Sequence, residues 1–210
     1  MDIELFYTPN TRSSRPRWLL EELEVPYRVR FVDLFGGERN PAHPLGSVPA
    51  MRIDGETLIE SGAICHWLAD RFPDSGLAPA MNDPLRARYE QWMFFAPATL
   101  EPPAFEILLH TMILPEKHRV EAITPFATKG YRRILRMLAE DLDHDRYLLG
   151  EHFSCADIMA GTTLGWLPDL LKDYPPLLAY TERVTARPAY RRAMAPINDD
   201  ACHENRQGES

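Results

Sequence analysis

Residues 44–61 read Pro44-Leu45-Gly46-Ser47-Val48-Pro49-Ala50-Met51-Arg52-Ile53-Asp54-Gly55-Glu56-Thr57-Leu58-Ile59-Glu60-Ser61. The stretch divides into a loop, a proline at the mouth of a strand, a tight hairpin, a second strand, and an acidic–hydroxyl pair that opens a helix. Ala50 to Ile53 and Glu56 to Ile59 flank Asp54-Gly55, a dipeptide suited to a two-residue hairpin because the favoured turn needs positive φ at its centre. Pro49 has no N–H and cannot pair inside a central ladder. Val48 before it keeps both backbone hydrogen-bonding groups. A backbone edge of this kind, beside a helix start at Glu60-Ser61, is suited to hold a peptide and its carboxylate.

Working outward, Ile3 to Tyr7 is short and apolar, as a buried strand is. Thr8 to Ser14 is a polar loop. Arg17 to Leu23 reads as a helix that Ser13 or Ser14 could cap, with Pro16 tolerable in the first turn and Pro26 ending it. Tyr27, Val29 and Phe31 alternate with Arg28, Arg30 and Val32, which predicts a second strand. Gly36 to Pro44 is a loop with room for a short helix. From Ser61 a helix places Ile64, Trp67 and Leu68 on one face. The order β-α-β-α-β-β-α predicts a small α/β domain of thioredoxin-like type over residues 1–75.

Residues 76–84 are rich in Pro, Gly, Ala and Asp and read as a linker. No strand signal follows, so residues 85–197 are expected to form an all-α bundle. Leu85 to Ile113 is helical in pattern, with a break expected at Glu101-Pro102-Pro103. Ala122 to Asp143 sets Phe126, Ile134, Met137, Leu138 and Leu142 at helical spacing. Phe153 to Ile158 is a helix start: Ser154 and Asp157 have capping-box spacing, and Phe153 and Ile158 have the spacing of a hydrophobic staple. Shorter helices follow near Pro176–Thr185 and Pro188–Met194, and residues 198–210 read as a polar tail.

The balance of 23 basic against 31 acidic residues, a net charge of −8, argues against a nucleic-acid partner, which requires a basic face. Three cysteines (Cys65, Cys155, Cys202) in 210 residues form no disulfide framework, which points to a reducing, cytoplasmic setting. No leader pattern and no apolar run of membrane-spanning length is evident. The seven histidines show no metal-ligand spacing, so no metal is expected.

Four signals agree in order and spacing: Arg17-Trp18-Leu19-Leu20-Glu21-Glu22-Leu23 with Pro26-Tyr27, Pro44 to Pro49, Glu60-Ser61, and the helix start Phe153–Asp157. Over residues 3–195 the chain resembles the cytosolic glutathione transferase family of bacterial type. The resemblance implies a thioredoxin-like domain followed by a helical one, usually paired as a homodimer through the helices starting near Ser61 and Leu85. It further implies that Pro49 is cis, that Val48 pairs with the cysteinyl backbone of glutathione, and that Glu60 and Ser61 hold the γ-glutamyl group. His43 and Ser47 stand near the glycine end, where the family often has Asn and Lys; His43 or an arginine would have to replace the missing cation.

Glutathione conjugation needs a thiolate near neutral pH, although a free thiol titrates near ~8.5. A hydroxyl donor, a helix N-terminus and nearby cations each stabilise one, and the loop Thr8 to Arg17 offers all three. Thr11 falls where theta- and delta-like transferases carry a catalytic serine. Matching to beta-like transferases instead selects Ser13 and sets Arg12 at their catalytic cysteine. Tyr7 stands near the tyrosine of tyrosine-type transferases. Plain roles compete with these: Ser13 and Ser14 as helix caps, Tyr7 as a core aromatic, and Arg12, Arg15 and Arg17 as a solvated face. The implied activity is conjugation of the glutathione thiolate to a hydrophobic electrophile, with Trp92, Met93, Phe94, Phe95, Phe105 and Trp166 available for an apolar wall. Two alternatives stand beside it: glutathione-dependent peroxide reduction on the same site, and a non-catalytic, transferase-like binding or regulatory protein.

Overall fold

The computed structural model describes residues 1–142 and 146–197. The expected polar tail at 198–210, with Cys202 and His203, lies outside the described residues, as does His144. Two compact units emerge: one comprises Met1–Ser75 with the C-terminal segment from Ala186, the other Gly76–Thr185.

The first unit holds β1 (Ile3–Tyr7), α1 (Ser14–Leu23), β2 (Arg28–Phe31), β3 (Ala50–Ile53), β4 (Glu56–Ile59) and α2 (Ser61–Arg71). Its mixed sheet runs in the order β2-β1-β3-β4, with β1–β2 parallel and the other two pairings antiparallel. β1 is central, which explains its almost unbroken apolar run: Leu5, Phe6 and Tyr7 are all buried. Phe6 packs with Val32, Val48 and Ala50 on one side of the sheet. By strand alternation Leu5 and Tyr7 lie on the other. Asp54 (φ 48°) and Gly55 (φ 93°) form the expected two-residue hairpin turn. Between β2 and β3 the chain winds through successive turns rather than the short helix the sequence left room for. Leu34 and Ala42 from these turns pack on the Phe6 cluster, so apolar side chains close that face without helical periodicity.

The second unit is helical: α3 (Arg86–Phe95), α4 (Glu101–Leu108), α5 (Ile123–Leu142), α6 (Cys155–Leu164), α7 (Pro168–Leu171) and α8 (Pro175–Thr185). The break expected at Glu101-Pro102-Pro103 does not occur. α3 passes through a wide π turn, Ala96–Leu100, directly into α4, whose first turn carries the prolines. Proline is accommodated in a first helical turn because its missing N–H would have no α-helical partner there, and the wide turn re-registers the bonds before it. On α5 the buried residues are Ala127, Tyr131, Leu135, Leu138 and Leu142. Phe126 is 82% and Met137 40% exposed. The N-terminal part of the buried stripe is therefore displaced from the most apolar side chains: Ala127 and Tyr131 are buried there and Phe126 is not. α6 begins with the expected capping box: Ser154, in extended conformation, and Asp157 bond reciprocally. None of the described helices is long and apolar enough to cross a membrane.

The last helix, α9 (Pro188–Met194), returns to the first unit and lies along α1. Tyr190 stands edge-on to Trp18 at 4.8 Å. Arg187 makes two bonds to the Glu22 carboxylate, 2.6 and 2.7 Å, and the Trp18 indole N–H donates to the same group at 2.9 Å.

Candidate functional site

The sequence-singled residues of the first unit gather at one end of the sheet. Val48-Pro49 is a cis peptide bond. The β3–β4 register ends at the pair Ala50↔Ile59, so Val48 lies just beyond the ladder, at the same end of the strand pair as Glu60-Ser61. Glu60 is exposed and adopts φ 70°, ψ 116°, a region costly for a residue with a Cβ. This backbone turns the chain from β4 into α2. The first intrahelical bond runs from Ile64 N–H to the Glu60 carbonyl, so the N–H groups of Ser61, Gly62 and Ala63 precede the ladder and face outward as helix-end donors. Ser61 itself is 5% exposed, and its Oγ accepts a bond of 3.1 Å from Nη1 of Arg15.

The loop before α1 is bound to itself. Ser13 is fully buried, and its side chain makes no capping bond to α1. Its Oγ instead accepts from the Thr8 N–H at 3.1 Å and lies 2.9 Å from the Thr8 carbonyl. Thr11 Oγ1 lies 2.7 Å from both the Thr8 carbonyl and Ser13 Oγ, and accepts from the Ser13 N–H at 3.2 Å. Ser13 does stand at the N-cap position of α1, as expected, but its hydroxyl does not cap the helix, because Thr8 offers both a donor and an acceptor within reach. Thr11 is half-buried and lies at the loop surface. Tyr7 is 2% exposed, with the Arg17 guanidinium 4.7 Å from its ring centre.

Nor do the three arginines form a solvated face. Arg15 is fully buried, Arg17 is 7% exposed and donates to the Ala195 carbonyl at 3.0 Å, and Arg12 is half-buried. Burying two guanidiniums is expensive unless each is matched by acceptors, so this part of the chain is organised around positive charge.

The loop that delivers Val48 has an organiser that sequence reasoning missed. Asn40 is 2% exposed. Its Nδ2 donates to the Ser47 carbonyl at 2.8 Å, its Oδ1 accepts from the Ala42 N–H at 3.0 Å, and its N–H donates to the Gly46 carbonyl at 3.0 Å. The Asn40-Pro41 dipeptide carries a turn signal, but what the turn holds is a tertiary fact. His43 is half-buried and uses Nδ1 to accept the Leu45 N–H at 3.1 Å, while Ser47 is exposed. Gly46 adopts φ 72°, and a Cβ there would come within 2.9 Å of the Arg39 guanidinium. Arg39 thus lies against the turn that carries Ser47.

In the second unit the six aromatic and methionine positions do not share one surface. Trp92 and Met93 are core, with Trp92 edge-on to Phe95 at 5.1 Å, whereas Phe94 is 67% exposed. Asp157 is buried and accepts bonds from Leu148 N–H, Ser154 N–H, Ser154 Oγ and the Tyr180 hydroxyl. It serves the fold of the helical unit.

The model for the glutathione S-transferase N-terminal domain matches residues 11–71, and that for the C-terminal domain matches residues 66–183. The chain is 32% identical to glutathione S-transferase 3 of Schizosaccharomyces pombe, over 94% of this chain and 89% of the relative. It is 30% identical to the disulfide-bond oxidoreductase YfcG of Escherichia coli, over 94% of this chain and 98% of the relative. Among solved structures, a sphingomonad glutathione S-transferase complexed with glutathione superimposes with a TM-score of 0.80 at 29% identity, covering 91% of this chain and 96% of that one. The chain belongs to the glutathione S-transferase family.

Proposed function

We propose that this protein is a glutathione transferase that binds the tripeptide at the sheet end described above and presents its thiolate to a hydrophobic electrophile. The observation that carries the reading is the pairing of Val48–cis-Pro49 with the Glu60-Ser61 opening of α2 at one end of the β3–β4 pair. An extended peptide pairs with the Val48 backbone, and its γ-glutamyl carboxylate meets the helix-end donors of α2 and the Ser61 hydroxyl. Glu60 faces the γ-glutamyl amine. The glycine carboxylate lies toward Ser47, where Arg39 is the cation of the same loop and the His43 ring stands in the same turn; Arg12 adds positive charge beside the thiol.

Thr11 is the hydroxyl best suited to hold the thiolate. Ser13 and Tyr7 are buried, and Ser13 Oγ is tied on both sides to Thr8, whereas Thr11 is half-buried and can turn its O–H outward at the cost of one loop bond. Conjugation then proceeds from a lowered thiol pKa and from proximity of the two reactants. The reading takes the protein as a cytoplasmic homodimer, which light scattering tests directly.

A second reading on the same site, thiol–disulfide exchange with glutathione, draws support from the likeness to YfcG. Calorimetric titration with glutathione tests the binding site: saturable binding that weakens in Ser61→Ala is expected, and no binding at millimolar glutathione sinks the proposal. Thiolate absorbance of the complex against pH then distinguishes the hydroxyls, with Thr11→Ala raising the bound thiol's pKa and Ser13→Ala lowering the stability of the loop instead. Turnover of a mixed glutathione disulfide without turnover of an aryl halide selects the second reading.

A further inference from the structure

We propose that Arg15 is a positioning residue for glutathione, acting through Ser61; this rests on the glutathione-binding reading above. Arg15 lies on α1, forty-six positions from Ser61, and its side chain is fully buried with Nη1 3.1 Å from Ser61 Oγ. A guanidinium has donors only, so the direction of the bond is unambiguous: Arg15 donates and Ser61 accepts. That bond occupies the oxygen of Ser61 and leaves its proton directed elsewhere. Among the described residues that proton meets no acceptor, although Ser61 is only 5% exposed.

A buried hydroxyl with its acceptor side filled and its donor side open is arranged to donate to an incoming anion. The γ-glutamyl carboxylate supplies one. Drawing density from the Ser61 oxygen makes its O–H a stronger donor, and the fixed charge of Arg15 stands behind the bond in a medium of low dielectric. The guanidinium never touches glutathione. It sets which way Ser61 points and adds positive charge to the carboxylate subsite, beside the helix-end donors of α2.

Affinity and turnover therefore separate. Arg15→Met is expected to raise the Kd and KM for glutathione about tenfold or more, with kcat at saturating glutathione within about threefold of wild type, because no group at the sulfur is altered. Arg15→Lys keeps a charge without the planar fork and falls between the two. The deciding experiment is a cycle of Arg15→Met, Ser61→Ala and the double variant, titrated with glutathione and with cysteinylglycine, which lacks the γ-glutamyl group. The Arg15 effect should vanish in the Ser61→Ala background and with cysteinylglycine. Equal Arg15 effects in both backgrounds, or a loss of kcat with KM unchanged, overturn the proposal. If Arg15→Met does not fold, the same cycle built on Arg15→Lys applies the same two criteria. Wild-type protein that fails to bind glutathione overturns the functional reading itself, an outcome distinct from normal binding that is indifferent to Arg15.

Discussion

Truncating Asp157 to alanine removes one carboxylate and strands three buried donors. In the native protein the carboxylate accepts the Leu148 N–H at 3.0 Å, the Ser154 N–H at 2.8 Å, the Ser154 hydroxyl at 3.1 Å and the Tyr180 hydroxyl at 2.9 Å. Leu148, Ser154 and Tyr180 are each about 1% exposed, so water does not replace the lost acceptor without local opening. The Ser154 hydroxyl can rotate to another partner; the two N–H groups and the phenol cannot move far. Each stranded donor costs about 1–3 kcal/mol, or roughly 3–9 in all. Against this, burial makes the charged carboxyl itself costly and pushes its pKa up in spite of the four donors, and that cost disappears with the side chain. The two effects together place the loss in the lower half of the range, about 3–5 kcal/mol. Asp157→Asn keeps an acceptor but turns an amide N–H₂ toward other donors, and should lose about 2–4 kcal/mol. Urea unfolding followed by far-ultraviolet circular dichroism reads both. A loss below about 1 kcal/mol for the alanine variant would refute the argument that these donors depend on a single acceptor.

Three further outcomes follow from other parts of the structure. Glu22→Ala leaves the Trp18 indole N–H and the Arg187 guanidinium without their shared acceptor, whose side chain is 8% exposed; about 2 kcal/mol of stability is expected to go, and an unchanged thermal midpoint would rule out a structural role for the pair. Glu60→Gly relieves a positive φ at an exposed position and should raise stability by about 1 kcal/mol while weakening glutathione binding; a variant that loses stability would show that the conformation is not strained. The Tyr180 phenol is raised well above its ordinary value of 10.0, first by burial and then by the adjacent Asp157 carboxylate. Its folded pKa exceeds the unfolded one, so its contribution is complete below about pH 10 and is lost as pH rises above that value. Unfolding free energy should therefore fall as pH rises above about 10, and Tyr180→Phe should flatten that slope; parallel curves for the two proteins contradict the assignment.

Local chemistry determined a good deal of this protein before any tertiary contact is considered. Asp54-Gly55 demands positive φ at adjacent positions and forms its hairpin wherever the flanking strands lie. Ser154 and Asp157, three residues apart, satisfy each other's backbone within one helical turn. Val48-Pro49 and Glu60-Ser61 carry their meaning in short range, since a proline ends a ladder and an acidic–hydroxyl pair opens a helix. Most of the element order and the family likeness followed from such signals because each depends on neighbours within a few residues.

What the tertiary structure alone decided are the matters in which distant groups compete for the same partner. Ser13 reads as a helix cap, yet its hydroxyl goes to Thr8, because the loop folds back and supplies a nearer donor and acceptor. Arg15 and Arg17 read as surface charge, yet both are interior, one bonded to Ser61 and the other to Ala195 across most of the chain length. The prolines at 102 and 103 read as a break, yet a wide helical turn just ahead of them absorbs their missing donors. On α5, Tyr131 is interior while the more apolar Phe126 is exposed, a choice that the helical spacing of apolar residues did not carry. Spacing along a chain specifies periodicity and turns; it does not specify which of several chemically adequate partners arrives first in space, and that selection made the site.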